Sequence, residues 1–249
     1  MRIIDVHSHL GFDPVFQVDF TREELVEELT IKGVDCLIVQ PATVLDVDQA
    51  RAQHDAVARL AAEFPGRVFG MANPSPHFDT PIYRAELTRC VRELGFVGVK
   101  INTYAHSVGV GLAPGRRVFD SARDLGIPVM VHTGAGAPWA LPSNLLPVAR
   151  EYPDVKIVMA HSGAMAYAGE ALLVAQQCPS IYLEVTWTPG YLVRSFVRSI
   201  GAERVLFGTD HADNLETELT KLRTAGLTEA ELECCLGTTA EVVYGLPRP

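Results

Sequence analysis

Cysteine is scarce in this chain and badly placed for cross-linking. The five residues Cys36, Cys90, Cys178, Cys234 and Cys235 are odd in number and scattered, apart from one adjacent pair. Neither a disulfide framework nor a zinc-ribbon spacing fits them, so they read as reduced thiols of a cytoplasmic protein. No basic segment followed by an apolar stretch opens the sequence, so no signal peptide is expected. No run approaches the ~18 consecutive apolar residues of a membrane span. Positive charge is short as well: 21 Lys and Arg face 30 Asp and Glu, a formal net charge of −9. A nucleic-acid binder would show the opposite balance. An anionic small molecule stays compatible, because a local positive site can sit in an acidic protein.

What the chain has in quantity is short apolar runs. Eight recur, at 2–7, 35–40, 67–72, 96–101, 127–132, 156–161, 181–187 and 204–209. They are apolar on both faces, as parallel strands covered by helices should be. The segments between them carry helix signals. Thr21 with Glu24 makes a capping box, and Gly33 follows as a stop. Thr80-Pro81 and Thr188-Pro189 read as N-cap and N1 pairs. Strands and helices alternating every ~30 residues imply repeated βαβ units. Eight such units close most simply into an α/β (β/α)8 TIM barrel, with a doubly wound open sheet as the other solution. Two short helices, 228–236 and 238–245, each begin Thr-x-x-Glu and are expected to close the C-terminal end. No linker or repeat divides the chain, so residues 1–249 are expected to form one domain; barrels of this type need about 250 residues.

Polar residues fall where a barrel does its chemistry, at the C-terminal ends of the strands. The first run ends at His7, with His9 two further on; the fifth ends at His132, the sixth at His161, and the eighth at Asp210 with His211 next. Lys100 stands one residue before the end of the fourth. By strand alternation Asp5, His7 and His9 share one face. Two imidazoles at that spacing can bind one cation, and His132 and Asp210 can approach from opposite strands. Asp5 would lie one layer deeper, orienting a ligand histidine or holding a buried hydrogen bond. Each residue alone has an ordinary explanation as a core histidine or a helix cap. Together they do not, since a barrel interior is normally built of branched apolar side chains.

The motifs "DVHSHL", "VHTG", "AHSG" and "VLFGTDH", in that order and at those strands, resemble the amidohydrolase superfamily. "EFPGRVFGMANPSP" and "ELTRCVRELGFVGVKI" are similar to its amidohydrolase-related branch, which includes aminocarboxymuconate semialdehyde decarboxylase and aromatic acid decarboxylases. "LGTTAEVVYGL" resembles the branch's closing helix, with Thr238 or Thr239 where asparagine is usual. The resemblance implies one divalent metal, zinc or sometimes manganese, held by His7, His9, His132 and Asp210. It implies His161 as the group that handles protons, beside Asp210. Some superfamily members bridge two metals with a carboxylated lysine on strand four, where Lys100 stands. Branch members often dimerise, so a homodimer is expected. Nucleases that open with a similar motif fit less well, for lack of a phosphate-binding patch.

Such a site suits hydrolysis of an amide, ester or lactone by a metal-activated water. It equally suits protonation of a ring or ene carbon with loss of carbon dioxide. A decarboxylase should clamp a carboxylate with arginine, and the candidates Arg51, Arg116 and Arg117 sit at expected helix termini. The chain is also short for the branch's decarboxylases. The sequence therefore favours a metal-dependent hydrolase of a small molecule, with decarboxylase as the alternative and a non-catalytic metal-binding barrel third. Tyr104, Trp139 and Trp187 are the candidate substrate-binding aromatics.

Overall fold

The computed structural model describes residues 1–134 and 136–247. Eight parallel strands carry the architecture: β1 (Ile4–Asp13), β3 (Cys36–Pro41), β4 (Val68–Ala72), β5 (Gly98–Ile101), β6 (Val129–His132), β7 (Ile157–Ala160), β8 (Ile181–Glu184) and β9 (Val205–Leu206). Each of the eight apolar runs overlaps one. A ninth strand, β2 (Val18–Phe20), turns back antiparallel on the far end of β1. The sheet runs β2-β1-β3-β4-β5-β6-β7-β8-β9. Two backbone bonds join its ends, Val6 N to Phe207 O at 3.2 Å and Asp210 N to His7 O at 2.7 Å. The result is a (β/α)8 barrel.

Helices α1 (Arg22–Thr30), α2 (Val47–Glu63), α3 (Thr80–Arg92), α4 (Ala113–Leu125), α5 (Leu145–Glu151), α6 (Ala168–Gln177), α7 (Gly190–Ile200) and α8 (Leu215–Thr224) cover the strands. Helix α1 starts with the expected capping box at Thr21 and Glu24. Two expected caps shift by one residue. Asp79 takes the cap position of α3, so Pro81 is its second residue. Pro189 itself precedes α7. Thr228 and Glu231 box the start of α9 (Glu229–Glu233), but Thr238 caps nothing. A π-helical turn over Cys234–Thr238 runs straight into α10 (Thr239–Tyr244). Val243, Tyr244 and Leu246 pack with Ile4, Ile38, Met71, Met130 and Val158, plugging the bottom of the barrel. Among the described residues, no helix is long and apolar enough to cross a membrane.

One local irregularity decides how the site is built. β1 pairs Asp5 with Leu37, then Ser8 with Val39 and His9 with Gln40. Three steps along β1 match two along β3, so β1 carries a bulge. The expectation that Asp5, His7 and His9 share a face is therefore corrected. Asp5 and Ser8 follow Leu37 and Val39 onto the outer, helix-packed layer, and His9 follows Gln40 inward. Asp5 closes the bulge with four hydrogen bonds. It accepts from His7 N (2.9 Å), Ser8 Oγ (2.8 Å), Thr209 N (3.1 Å) and Thr209 Oγ1 (2.6 Å). Burial pushes its carboxyl up to about 6 in spite of these donors. Asp5 thus ties the first strand to the segment after the last one, which brings His7 beside Asp210.

Candidate active site

The strand ends meet in a cavity of about 480 Å³ at the top of the barrel. His7, His9, Lys100, His132, His161 and Asp210 all line it. The tightest group is His7, His161 and Asp210, whose candidate ligand atoms lie within 4.8 Å of one another. Asp210 Oδ1 is 3.2 Å from His7 Nε2 and 3.2 Å from His9 Nε2. His132 packs edge-on against His161, ring centres 5.0 Å apart. The structure therefore gathers every histidine and acid of the expected ligand set around one space, with His161 nearer its centre than the sequence suggests.

Burial and charge set the resting states. Burial, then the neighbouring Lys100 ammonium, lowers His7 to about 3. Burial likewise lowers His9, His132 and His161. Burial would raise Asp210, but His161, His7 and His9 hold it well below the usual carboxylate range. Lys100 falls to about 8 through burial. Burial thus disfavours a charge on each imidazole, while the facing histidines favour the ionised form of Asp210.

A buried acid that sequence reasoning missed organises these rings. Glu184 ends β8 and accepts from His7 Nδ1 at 2.9 Å. Burial would raise it, but hydrogen bonding to His7 and the facing histidines bring it down to about 2. An acid inside the apolar run 181–187 is the signal that could have found it. His7 thus carries its proton on Nδ1, and its Nε2 is a lone pair facing the lone pairs of Asp210 Oδ1. Two acceptors 3.2 Å apart need a shared cation. Lys100 Nζ, 2.9 Å from His7 Nε2, supplies one positive charge. Imidazole nitrogens with one carboxylate oxygen are also the donor set of a divalent transition ion, so the residues present fit a metal.

The walls are aromatic. Phe20, on the short strand β2, stacks on His9 (4.9 Å, 27°), and Phe16 stacks on Tyr104 (5.7 Å, 22°). Trp187 lines the cavity, and its indole N–H donates to Asp210 Oδ2 at 3.0 Å. The other two proposed aromatics do not line it. Tyr104 stands behind Phe16, and Trp139 sits on a separate short turn, Pro138–Ala140. Nor do the three arginines. Arg51 pairs with Glu86, Arg116 with Glu151, and Arg117 donates to the carbonyls of Pro76 and Phe78. Among the described residues, Lys100 is the one Lys or Arg lining the cavity.

A barrel whose first, fifth, sixth and eighth strands deliver histidines and an aspartate to one mouth defines a class, and comparison with known proteins gives the family. The amidohydrolase family model matches residues 4–246, and the chain belongs to that family. It is 24% identical over 257 residues to gamma-resorcylate decarboxylase of Rhodococcus jostii (strain RHA1), covering 81% of this chain and 78% of that protein. Its fold is similar to that of 5-carboxyvanillate decarboxylase from Sphingomonas paucimobilis (TM-score 0.78, 16% identity, 99% of each chain). It is also similar to a dihydroxybenzoic acid decarboxylase from Polaromonas sp. JS666, solved with manganese and the inhibitor 2-nitroresorcinol (TM-score 0.78, 19% identity, 100% of this chain and 98% of that one).

Proposed function

We propose that this chain is a metal-dependent, non-oxidative decarboxylase of a small aromatic or enoic acid. The hydrolase favoured from sequence gives way to its alternative. The observation that carries this is the place of Lys100. Among the described residues, it is the one Lys or Arg lining the cavity, and it stands 2.9 Å from His7 in a space that Phe16, Phe20 and Trp187 also line. An aromatic acid fits such a site with its ring between the walls and its carboxylate toward Lys100. The decarboxylases that the chain resembles support the same choice. Of the two sequence arguments against it, the short chain and the missing arginine clamp, a buried lysine answers the second.

His7, His9, His132 and Asp210 would hold one divalent ion, with manganese preferred over zinc because a relative of the same fold binds it. Bound there, the ion would ligate substrate oxygens and draw electrons from the reacting carbon. His7 Nε2 has one lone pair; once that is engaged, the Lys100 ammonium is left to pair with the substrate carboxylate. Loss of carbon dioxide requires a proton on the carbon that carried the carboxylate. Asp210 rests ionised, so it first takes a proton from a substrate hydroxyl or water and then delivers it to that carbon. His161, with Nε2 toward the cavity, relays or stabilises that proton. Phe16, Phe20 and Trp187 exclude water from the ring.

The test is a panel of hydroxybenzoic and enoic acids, assayed for carbon dioxide release with manganese, beside ester, amide and lactone panels. Turnover of an acid, with KM raised about 10–100-fold in Lys100→Gln as expected for loss of a charge-assisted contact, supports the proposal. A lactone or amide that opens while no acid loses carbon dioxide returns the chain to the hydrolases.

A further inference from the structure

We propose that Glu184 is a positioning residue that sets the tautomer of two histidines at once, aiming the Nε2 lone pairs of both His7 and His161 into the cavity. The proposal takes the roles of His7 and His161 from the function proposed above, but its geometry is independent of the reaction.

Glu184 is fully buried, and both of its oxygens are doubly engaged. Oε2 accepts from His7 Nδ1 at 2.9 Å and from the backbone N–H of His161 at 2.9 Å. Oε1 accepts from the backbone N–H of Thr186 at 2.7 Å and from the Thr186 hydroxyl. Two of these four partners are backbone amides, which only donate. A hydroxyl has one proton, and that of Thr186 is committed to Oε1. Thr186 Oγ1 must therefore accept from His161 Nδ1, 3.2 Å away. One carboxylate thus fixes His7 directly and His161 through Thr186.

The neighbouring backbone makes room for this. A Cβ on Gly208 would stand 2.7 Å from His7 Cβ and 2.9 Å from Glu184 Oε1, too close for either to stay. The glycine in "FGTD" therefore lets β1 and β8 approach across the segment after β9. Placed so, the carboxylate reaches one histidine on β1 and another just after β7, residues 154 apart in sequence. Metal-ligating histidines commonly give their second ring proton to a carboxylate. Here the same carboxylate also serves a histidine outside the expected ligand set.

The test reads ring nitrogens rather than turnover. Long-range proton–nitrogen correlation spectra of the metal-free, nitrogen-15-labelled full chain report the tautomer of each histidine. His7 and His161 are expected as Nδ1–H; Nε2–H as the main form of either overturns the proposal. Thr186→Val should release the tautomer of His161 while leaving that of His7 fixed. If His161 keeps its tautomer in that variant, the relay through Thr186 is wrong. Glu184→Gln offers one acceptor oxygen in place of two and should mix the tautomers of both rings. It should also weaken manganese binding about 10–100-fold in a chelator competition. A mere structural brace would lower the melting temperature of Glu184→Gln without moving either ring's signals, and that result also overturns it. Failure of every acid in the decarboxylation panel would leave these spectra unchanged, so the two proposals fail separately.

Discussion

Among the described residues, the barrel holds two buried clusters of histidine and carboxylate, and they are opposites. Around Glu86, every lone pair meets a proton. His54 Nδ1 donates to Glu86 Oε1 at 2.8 Å, Arg89 donates to both Glu86 oxygens, Arg51 adds a further contact, and His54 Nε2 accepts from Asn73 N at 3.0 Å. Cys90 Sγ stands 3.6 Å from the same carboxylate. His54, Glu86 and Cys90 could be grouped as metal ligands by distance alone, but no lone pair is left over. Around Asp210 the count fails the other way: His7 Nε2 and Asp210 Oδ1 meet as two acceptors 3.2 Å apart on a cavity, with Lys100 beside them and the Trp187 indole N–H on the other carboxylate oxygen. A histidine–acid cluster is structural when its donors and acceptors cancel, and available for chemistry when they do not.

The largest effect should come from removing the surplus. Asp210→Asn replaces the shared anion with a neutral amide and should lower kcat by about 10²–10⁴-fold, in the range of a lost acid–base group. Manganese content per chain should fall in the same variant. Steady-state rates on whichever substrate the panel identifies, with elemental analysis of the same preparation, check both. Full activity in Asp210→Asn would make this cluster as inert as the other.

The saturated cluster should answer in stability instead. Glu86→Gln leaves Arg89 and His54 short of an acceptor in a buried place, and breaking a buried pair of this kind costs about 3 kcal/mol. Denaturant unfolding should show the loss, while kcat per folded molecule and metal content stay unchanged. The effect has a pH signature. Burial would raise Glu86, but hydrogen bonds from His54 and Arg89 lower it from 4.5 to about 2. A carboxylate with a depressed folded value stabilises above its unfolded value and loses that contribution as pH falls through the folded one. The gap between wild type and Glu86→Gln should therefore be full above pH 4.5 and close progressively toward pH 2. A gap independent of pH would mean that packing, not charge, holds the cluster.

The same contrast explains what could be read from the sequence. Parallel strands buried on both faces leave unbroken apolar runs, so all eight barrel strands were legible. Histidines at the ends of such runs stand out, so the histidines gathered in the cavity were legible too. The bulge at Asp5 was not. It is a register shift against β3, and alternation along β1 alone cannot report it. The strand Val18–Phe20 has only three residues and no period to detect, so the ring that stacks on His9 was missed. Tyr104 and Trp139 are not among the residues lining the cavity, because an aromatic in a loop faces whatever its tertiary neighbours leave open. Glu184 was visible as an acid in an apolar run, but its partners come from β1 and from the turn after β7, which no local pattern connects.

Backbone strain sharpens the comparison further, with the smallest effect. Six of the eight described non-glycine residues with positive φ are His161, Ser162, Ala164, Met165, Trp187 and Asp210, at or beside the cavity. His54, Glu86 and Cys90 have none among them. With Gly163 at φ 82°, residues 161–165 form five successive left-handed residues that carry His161. Hydrogen bonds pin this turn from three sides: His161 N to Glu184, Gly163 N to Thr133 Oγ1, and Thr188 Oγ1 to His161 O. A left-handed residue with a Cβ costs roughly 1–2 kcal/mol, and glycine avoids that at an entropic cost of about 0.5–1 kcal/mol. Ala164→Gly should therefore raise stability by up to about 1 kcal/mol, a shift of ~2–4 °C in Tm for a chain of this size. The same change loosens the turn that aims His161, so kcat should fall while KM holds. Ala164→Val, a β-branched residue forced to φ 45°, should lower Tm. A Tm that moves the same way in both variants would mean that the turn is not strained and that His161 is held by its hydrogen bonds alone.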